Sequence, residues 1–222
     1  RYFLNRLRHL LARTKSFGAQ SIDTDSKEDL KLWILLLTRA SKQGVNINNI
    51  TFSDPTNIAI SDACEHGIGG YNDDGLAWRY EIPLKHRGKL SINLLEFIAS
   101  VVTIELTLRE KGENQKILAL TDSSSALGWL HKASFPNCMP HHDTVARKLA
   151  SNLIRRDSSL YAQHIKGSHN FIADSLSRDH HIPSNHLISA FHRILPQQTP
   201  PNLQITPLPT DMNSWLLSLM HS

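Results

Sequence analysis

Cysteine is scarce in this chain: Cys64 and Cys138 are the two among 222 residues. So few thiols exclude a disulfide framework and argue against a cysteine-rich zinc site. A reducing intracellular compartment is the expectation. Long apolar runs are missing as well. No stretch approaches the ~18 residues a membrane helix needs, so no membrane partner is expected. No GxxxxGKS-type loop is present, which removes the usual phosphate cradle of nucleotide-binding α/β proteins. No signal-peptide pattern follows the first residue. The chain opens on Arg1, not Met, and reads as a piece of a longer polypeptide. Histidine is plentiful, at 13. Yet His141 with His142, and His180 with His181, have no HxxxH or CxxC partner pattern, so they read as surface or loop residues.

What is present suits a folded domain. Hydrophobic residues make up 40% and charged residues 20%, enough for a core and too balanced for wholesale disorder. The net charge of +4 is a mild basicity that fits nucleic acid as a partner without proving it. The length allows one ordinary domain with extensions, or two small ones.

Residues 1–50 are predicted to be helical. Phe3, Leu4, Leu7, Leu10 and Leu11 recur at helical spacing among Arg1, Arg6, Arg8 and Arg13. This predicts a basic helix that touches phosphates or anionic lipid, or a surface helix that docks on a neighbour. A second helix is predicted over 27–42, with Leu30, Trp33, Ile34 and Leu37 on one face. From about residue 51 the pattern changes. A strand is predicted over 57–63, a tight bend at Gly67, Gly69 and Gly70, and a strand over 75–83. A long apolar-striped helix follows over 92–111. Then come a strand over 116–122, a helix capped by Ser123 or Ser124, a helix over 142–156, a strand over 160–166 and a helix over 170–178. The order is an antiparallel strand set, helix, strand, helix, helix, strand, helix. That predicts an α/β domain over 51–180 with a mixed sheet flanked by helices. Six of the ten prolines fall within 183–209, so 181–222 reads as a Pro-rich, linker-like tail ending in a short apolar helix.

Four acids carry the chemistry: Asp62 in SDACEHGIGGY, Glu96 in NLLEF, Asp122 in LALTDSSSALGWL and Asp174 in HIKGSHNFIADSLSR. Three sit in apolar surroundings, where a carboxylate is costly unless it is paired or holds a metal. Asp62 and Asp122 are placed at strand ends, Glu96 and Asp174 in the first turns of helices, so all four converge at one sheet edge. Each acid taken singly is as readily a cap or turn residue. Four in this element order are not four caps. Gathered carboxylates suit hard divalent cations such as Mg²⁺, and paired ions suit phosphodiester cleavage.

Together these segments resemble the ribonuclease H domain of retrotransposon reverse transcriptases, of the Ty3/gypsy or DIRS-like type. The closing NxxADxLSR pattern, Asn170 to Arg178, is the most specific part. The resemblance covers about residues 51–180. It implies a ribonuclease H-like fold with a mixed five-stranded sheet. It implies two Mg²⁺ ions, or Mn²⁺, bridged by Asp62: one shared with Asp174 and activating water, the other with Glu96 and Asp122 at the leaving 3′-oxygen. The substrate would be the RNA strand of an RNA/DNA hybrid, recognised through 2′-hydroxyls in the minor groove. Asn93, three residues before Glu96, corresponds to a minor-groove contact. Ser124, Lys166 and Asn170 are further substrate candidates. His169, in a short loop, is the candidate to stand in for the mobile histidine of cellular relatives, with His164 as the alternative; retrotransposon members often lack this histidine, which implies that neither is essential. Partners would be the polymerase domain of the same polyprotein, joined through residues 1–50, and a downstream recombinase or integrase module.

Other readings separate on the acids. A silent connection module should have lost one or more of them, and none is lost. A transposase or integrase core of similar fold would place its last acid as a Glu on a late helix; here that acid is Asp174.

Overall fold

The computed structural model describes residues 5–13, 21–44, 54–132 and 140–221. Arg1, Phe3, Leu4 and Cys138 lie outside these ranges. Two helices come first, α1 (Asn5–Arg13) and α2 (Thr24–Gln43). Then follow β1 (Asn57–Cys64), β2 (Gly67–Asn72), β3 (Leu76–Glu81) and the long α3 (Ile92–Lys111). The chain continues through β4 (Lys116–Thr121), α4 (Ser124–Lys132), α5 (Pro140–Arg155), β5 (Ser159–His164) and α6 (Phe171–Arg178). It closes with α7 (Ser184–Ile194), β6 (Gln204–Thr206) and α8 (Thr210–His221).

The sheet has six strands in the order β5-β4-β1-β2-β3-β6. β1, β2 and β3 pair antiparallel, whereas β4 and β5 run parallel to β1. Alternation along the strands feeds two cores. Ala59, Ile68 and Trp78 face α3, α5 and α8; Tyr71 and Ala77 face α6 and α7. α3 is buried along almost its whole length because it lies between the sheet and the other helices of its layer. Ser91 caps it, its hydroxyl accepting from the Leu94 N–H.

Three sequence expectations change. The glycine bend is a strand: Gly67, Gly69 and Gly70 lie inside β2, where α6 and α3 press on the backbone. A Cβ at Gly69 would stand 2.7 Å from Cβ of Leu176 and 2.8 Å from its carbonyl carbon. Glycine here serves close approach, not chain reversal.

The 183–209 stretch is no linker. Its prolines mark element borders: the Pro183 carbonyl accepts from the first turn of α7, and the Pro209 carbonyl accepts from Met212 and Asn213 of α8. β6 pairs with β3 and adds a sixth strand to the five expected. Finally, α1 does not present all its arginines to solvent. Arg6 is buried, pairing with Asp25 and, at 3.3 Å, with Asp143 of α5. α2 is tied to the same helix by Arg39, whose guanidinium donates to the Ile154 carbonyl at 2.9 Å. Among the described residues no helix is long and apolar enough to cross a membrane.

The last helix contributes Met212, Leu216, Leu219 and Met220 to the larger core. Leu216→Ala should therefore destabilise the protein by roughly 2–4 kcal/mol, read from urea unfolding. A loose tail would give no change.

Candidate active site

β1 and β4 are parallel neighbours, with Ile60 opposite Leu120. Two residues further on, the same register sets Asp62 beside Asp122, at the carboxyl end of the pair. Glu96 reaches this point from α3. It sits just past the first turn, not in it as the sequence suggested. One oxygen from each of Asp62, Glu96 and Asp122 lies within 4.8 Å of the others. Asp174, in the first turn of α6, lines the same open cleft along with Cys64, Glu65, His66 and Arg178.

The setting is hostile to negative charge. Asp62 and Glu96 are only 3% and 8% exposed. Burial, above all, raises Asp62 to about 6, with the Asp122 and Asp174 charges adding to it and the Ser177 hydroxyl opposing. Burial also raises Glu96 to about 9, reinforced by Asp62 and Asp122. The Ala63 N–H donates to the Glu96 carboxylate, but Oε2 is buried with no partner. An all-carboxylate donor set with an orphaned buried oxygen fits a hard divalent cation such as Mg²⁺ or Mn²⁺.

Asp62 is clamped from α6. The Ser177 hydroxyl donates to its Oδ2 at 2.6 Å, and the Asn170 amide reaches Oδ1 at 3.5 Å and the Ser61 carbonyl at 3.3 Å. Asn170, a substrate candidate from the sequence, is 1% exposed and is instead an internal prop. Asp174 is held by the Arg178 guanidinium one helical turn on. Asn93, Ser124 and Lys166 are exposed around these elements. Asn93 lies on the same helix as Glu96, one turn earlier. Ser123, not Ser124, caps α4 through the Ala126 N–H.

The two histidine candidates part company. His169 is exposed on a short 3₁₀ turn, Gly167–His169. The His164 ring instead contacts the Asp122 backbone carbonyl through Nε2 at 3.0 Å. In the same loop, a Cβ on Gly167 would stand 3.1 Å from Oδ2 of Asp122, so the loop packs directly on that acid.

Sequence reasoning assigned no role to Ser177, Arg178 or Gly167. Ser177 and Arg178 carried a signal. They fall three and four residues after Asp174, on its helical face, within the quoted NxxADxLSR segment.

No protein-family model matches the chain, and no curated protein matches it. Among solved structures it is similar to the crystal structure of RNase H1 from the halophilic archaeon Halobacterium salinarum NRC-1, at 18% identity and a TM-score of 0.44. That match covers 55% of this chain and 97% of the other.

The raised carboxyls give a pH signature. A carboxyl whose folded value exceeds its unfolded one binds its proton more tightly in the native state. Its stabilisation is complete below about pH 4 and is lost as pH rises through about 6 for Asp62 and about 9 for Glu96. In excess chelator the thermal midpoint should therefore fall between about pH 5 and pH 9, by the equivalent of a few kcal/mol at most. Glu96→Gln should flatten the slope and raise the midpoint at about pH 8. A flat wild-type profile would mean that the two carboxyls are not in this environment.

Proposed function

We propose that the chain is a divalent-cation-dependent ribonuclease H that hydrolyses the RNA strand of RNA/DNA hybrids. We further propose that it serves a retroelement reverse transcriptase, as part of one polyprotein. The observation that carries the nuclease reading is the convergence of Asp62, Glu96 and Asp122 from three separate elements, with Asp174 on the wall of the same cleft. The mixed sheet flanked by helices, with β2 antiparallel to both neighbours and β4 and β5 parallel to β1, agrees with the mixed sheet that the ribonuclease H resemblance implies. The retroelement setting rests on the NxxADxLSR segment. The polymerase partner and a downstream recombinase or integrase module come with that setting.

Asp62, Glu96 and Asp122 would hold one cation, and Asp62 with Asp174 the other. Two such ions supply an activated water and a stabilised leaving oxygen for in-line phosphodiester hydrolysis. The chain's own residues prepare the site. Ser177 and Asn170 orient Asp62 so that its carboxylate does not rotate away from the cleft. Burial of Glu96 keeps one side of the cluster dry. The His164 ring, exposed at the open edge and touching the Asp122 carbonyl, is the candidate to carry a proton to or from a leaving or entering oxygen. RNA is distinguished from DNA by its 2′-hydroxyls, for which Asn93, one turn before Glu96, and Ser124, two residues after Asp122, are exposed polar candidates. Lys166 meets phosphate.

The test is cleavage of a labelled RNA/DNA hybrid with Mg²⁺ or Mn²⁺, against single-stranded RNA, duplex RNA and duplex DNA. The expected result is metal-dependent cutting of the RNA strand of the hybrid alone. Asp122→Asn should lower the rate on the order of 10³-fold while hybrid binding and folding persist. Full activity in that variant would sink the assignment.

The histidines make a separate prediction. His164→Ala should slow turnover by roughly tenfold, whereas His169→Ala should change it less. The reverse order would return the role to the exposed loop histidine.

A further inference from the structure

We infer that Arg178 is a built-in competitor for the cation at Asp174, so that the cleft takes two divalent ions with unequal affinity. This rests on the reading above, which places ions at these acids, and adds a regulation of their occupancy.

The four acids are not equivalent. Asp62, Glu96 and Asp122 already bring their oxygens together, and the buried, unpartnered Oε2 of Glu96 leaves that trio in need of a cation. Asp174 does not complete the group. Its Oδ1 is taken by Nε of Arg178 at 2.5 Å. The two residues are one turn apart on α6, so the helix itself holds the guanidinium at the carboxylate. An arginine cannot lose its charge to make way. A divalent ion arriving at Asp174 must therefore share the carboxylate with a fixed positive charge or push it aside.

The pair is open enough to be displaced. The side chains of Asp174 and Arg178 are 42% and 55% exposed, where ion pairs are weak and the guanidinium has room to swing. Arg178 is thus a competitor and not a block. Ser177, next to it in sequence, fastens the bridging acid Asp62 through its own hydroxyl. The first ion meets prepared ligands, whereas the second must break a contact. Second-site occupancy is set by how readily Arg178 leaves, and an anionic strand in the cleft would draw it off.

Mn²⁺ binding to the full chain, followed by the paramagnetic resonance of the free ion, tests this without reference to cleavage. Wild type should bind one ion tightly and a second on the order of tenfold more weakly. Arg178→Gln should narrow that gap to less than about threefold, the second affinity rising more than the first, since the Arg178 charge also reaches Asp62 and Glu96. Arg178→Lys should keep most of the gap, because charge is retained. Asp174→Asn should remove the weaker ion alone. Two equal sites in wild type, or an unchanged gap in a folded Arg178→Gln, would overturn the inference and leave the nuclease reading standing. Absence of any tight ion in wild type would overturn both. Should Arg178→Gln fail to fold, an Arg178→Lys gap as narrow as threefold would still refute the competition.

Discussion

The arrangement depends on how closely α6 lies against β2. Helices normally stand off a sheet by the length of their side chains. Here Gly67 and Gly69 remove those side chains, and the backbone of α6 near Leu176 and Ser177 comes within what would be clash distance of a Cβ. That approach puts the Ser177 hydroxyl on Asp62 and sets Asp174 on the wall of the cleft. A bulkier residue in β2 would lift the helix, free Asp62 and withdraw Asp174 in one movement. The glycines, though they bear no functional group, are as much a part of the site as the acids.

The second constraint is electrostatic. Buried carboxylates that face one another oppose folding, and this chain accepts that at Glu96 and Asp62. The surrounding framework offsets it. α3 is buried almost end to end, and α5 and α8 brace it through Lys148 on Glu105 and Arg109 on Asp211. Stabilising contacts are concentrated in the helical layer, while unfavourable charge burial is concentrated at one end of β1 and β4.

Much of the architecture was legible in the sequence because its signals are local. The long apolar-striped helix over 92–111, the strands ending near Asp62 and Asp122, and α6 with its leading Asp174 all follow from local periodicity. What misled were residues whose meaning depends on a distant partner. Glycine reads as a bend unless one knows that α6 will press on it. Proline reads as a linker unless the segments between prolines find a surface, as Leu187, Phe191 and Leu216 do. Arg6 reads as part of a basic helix, for phosphates or for docking on a neighbour, until Asp143, far along the chain, buries it. Among the histidines, sequence favoured the loop residue His169. The pairing of β4 with β5 is what carries His164 to Asp122, since Thr121 lies opposite His164.

The path of the last forty residues has a mechanical meaning. α7 packs on one face of the sheet with α6, α8 packs on the other with α3, and β6 carries the chain around the edge between them. The end of the chain is a clasp closed over the rim of the sheet. Tension applied at its C-terminal end would load α8 and the Arg109–Asp211 pair first, then unzip the three residues of β6. The acid-bearing strands β1 and β4 lie two and three positions inward from β3, the strand that β6 covers. Loss of β6 would leave β1 and β4 with their own ladder partners intact.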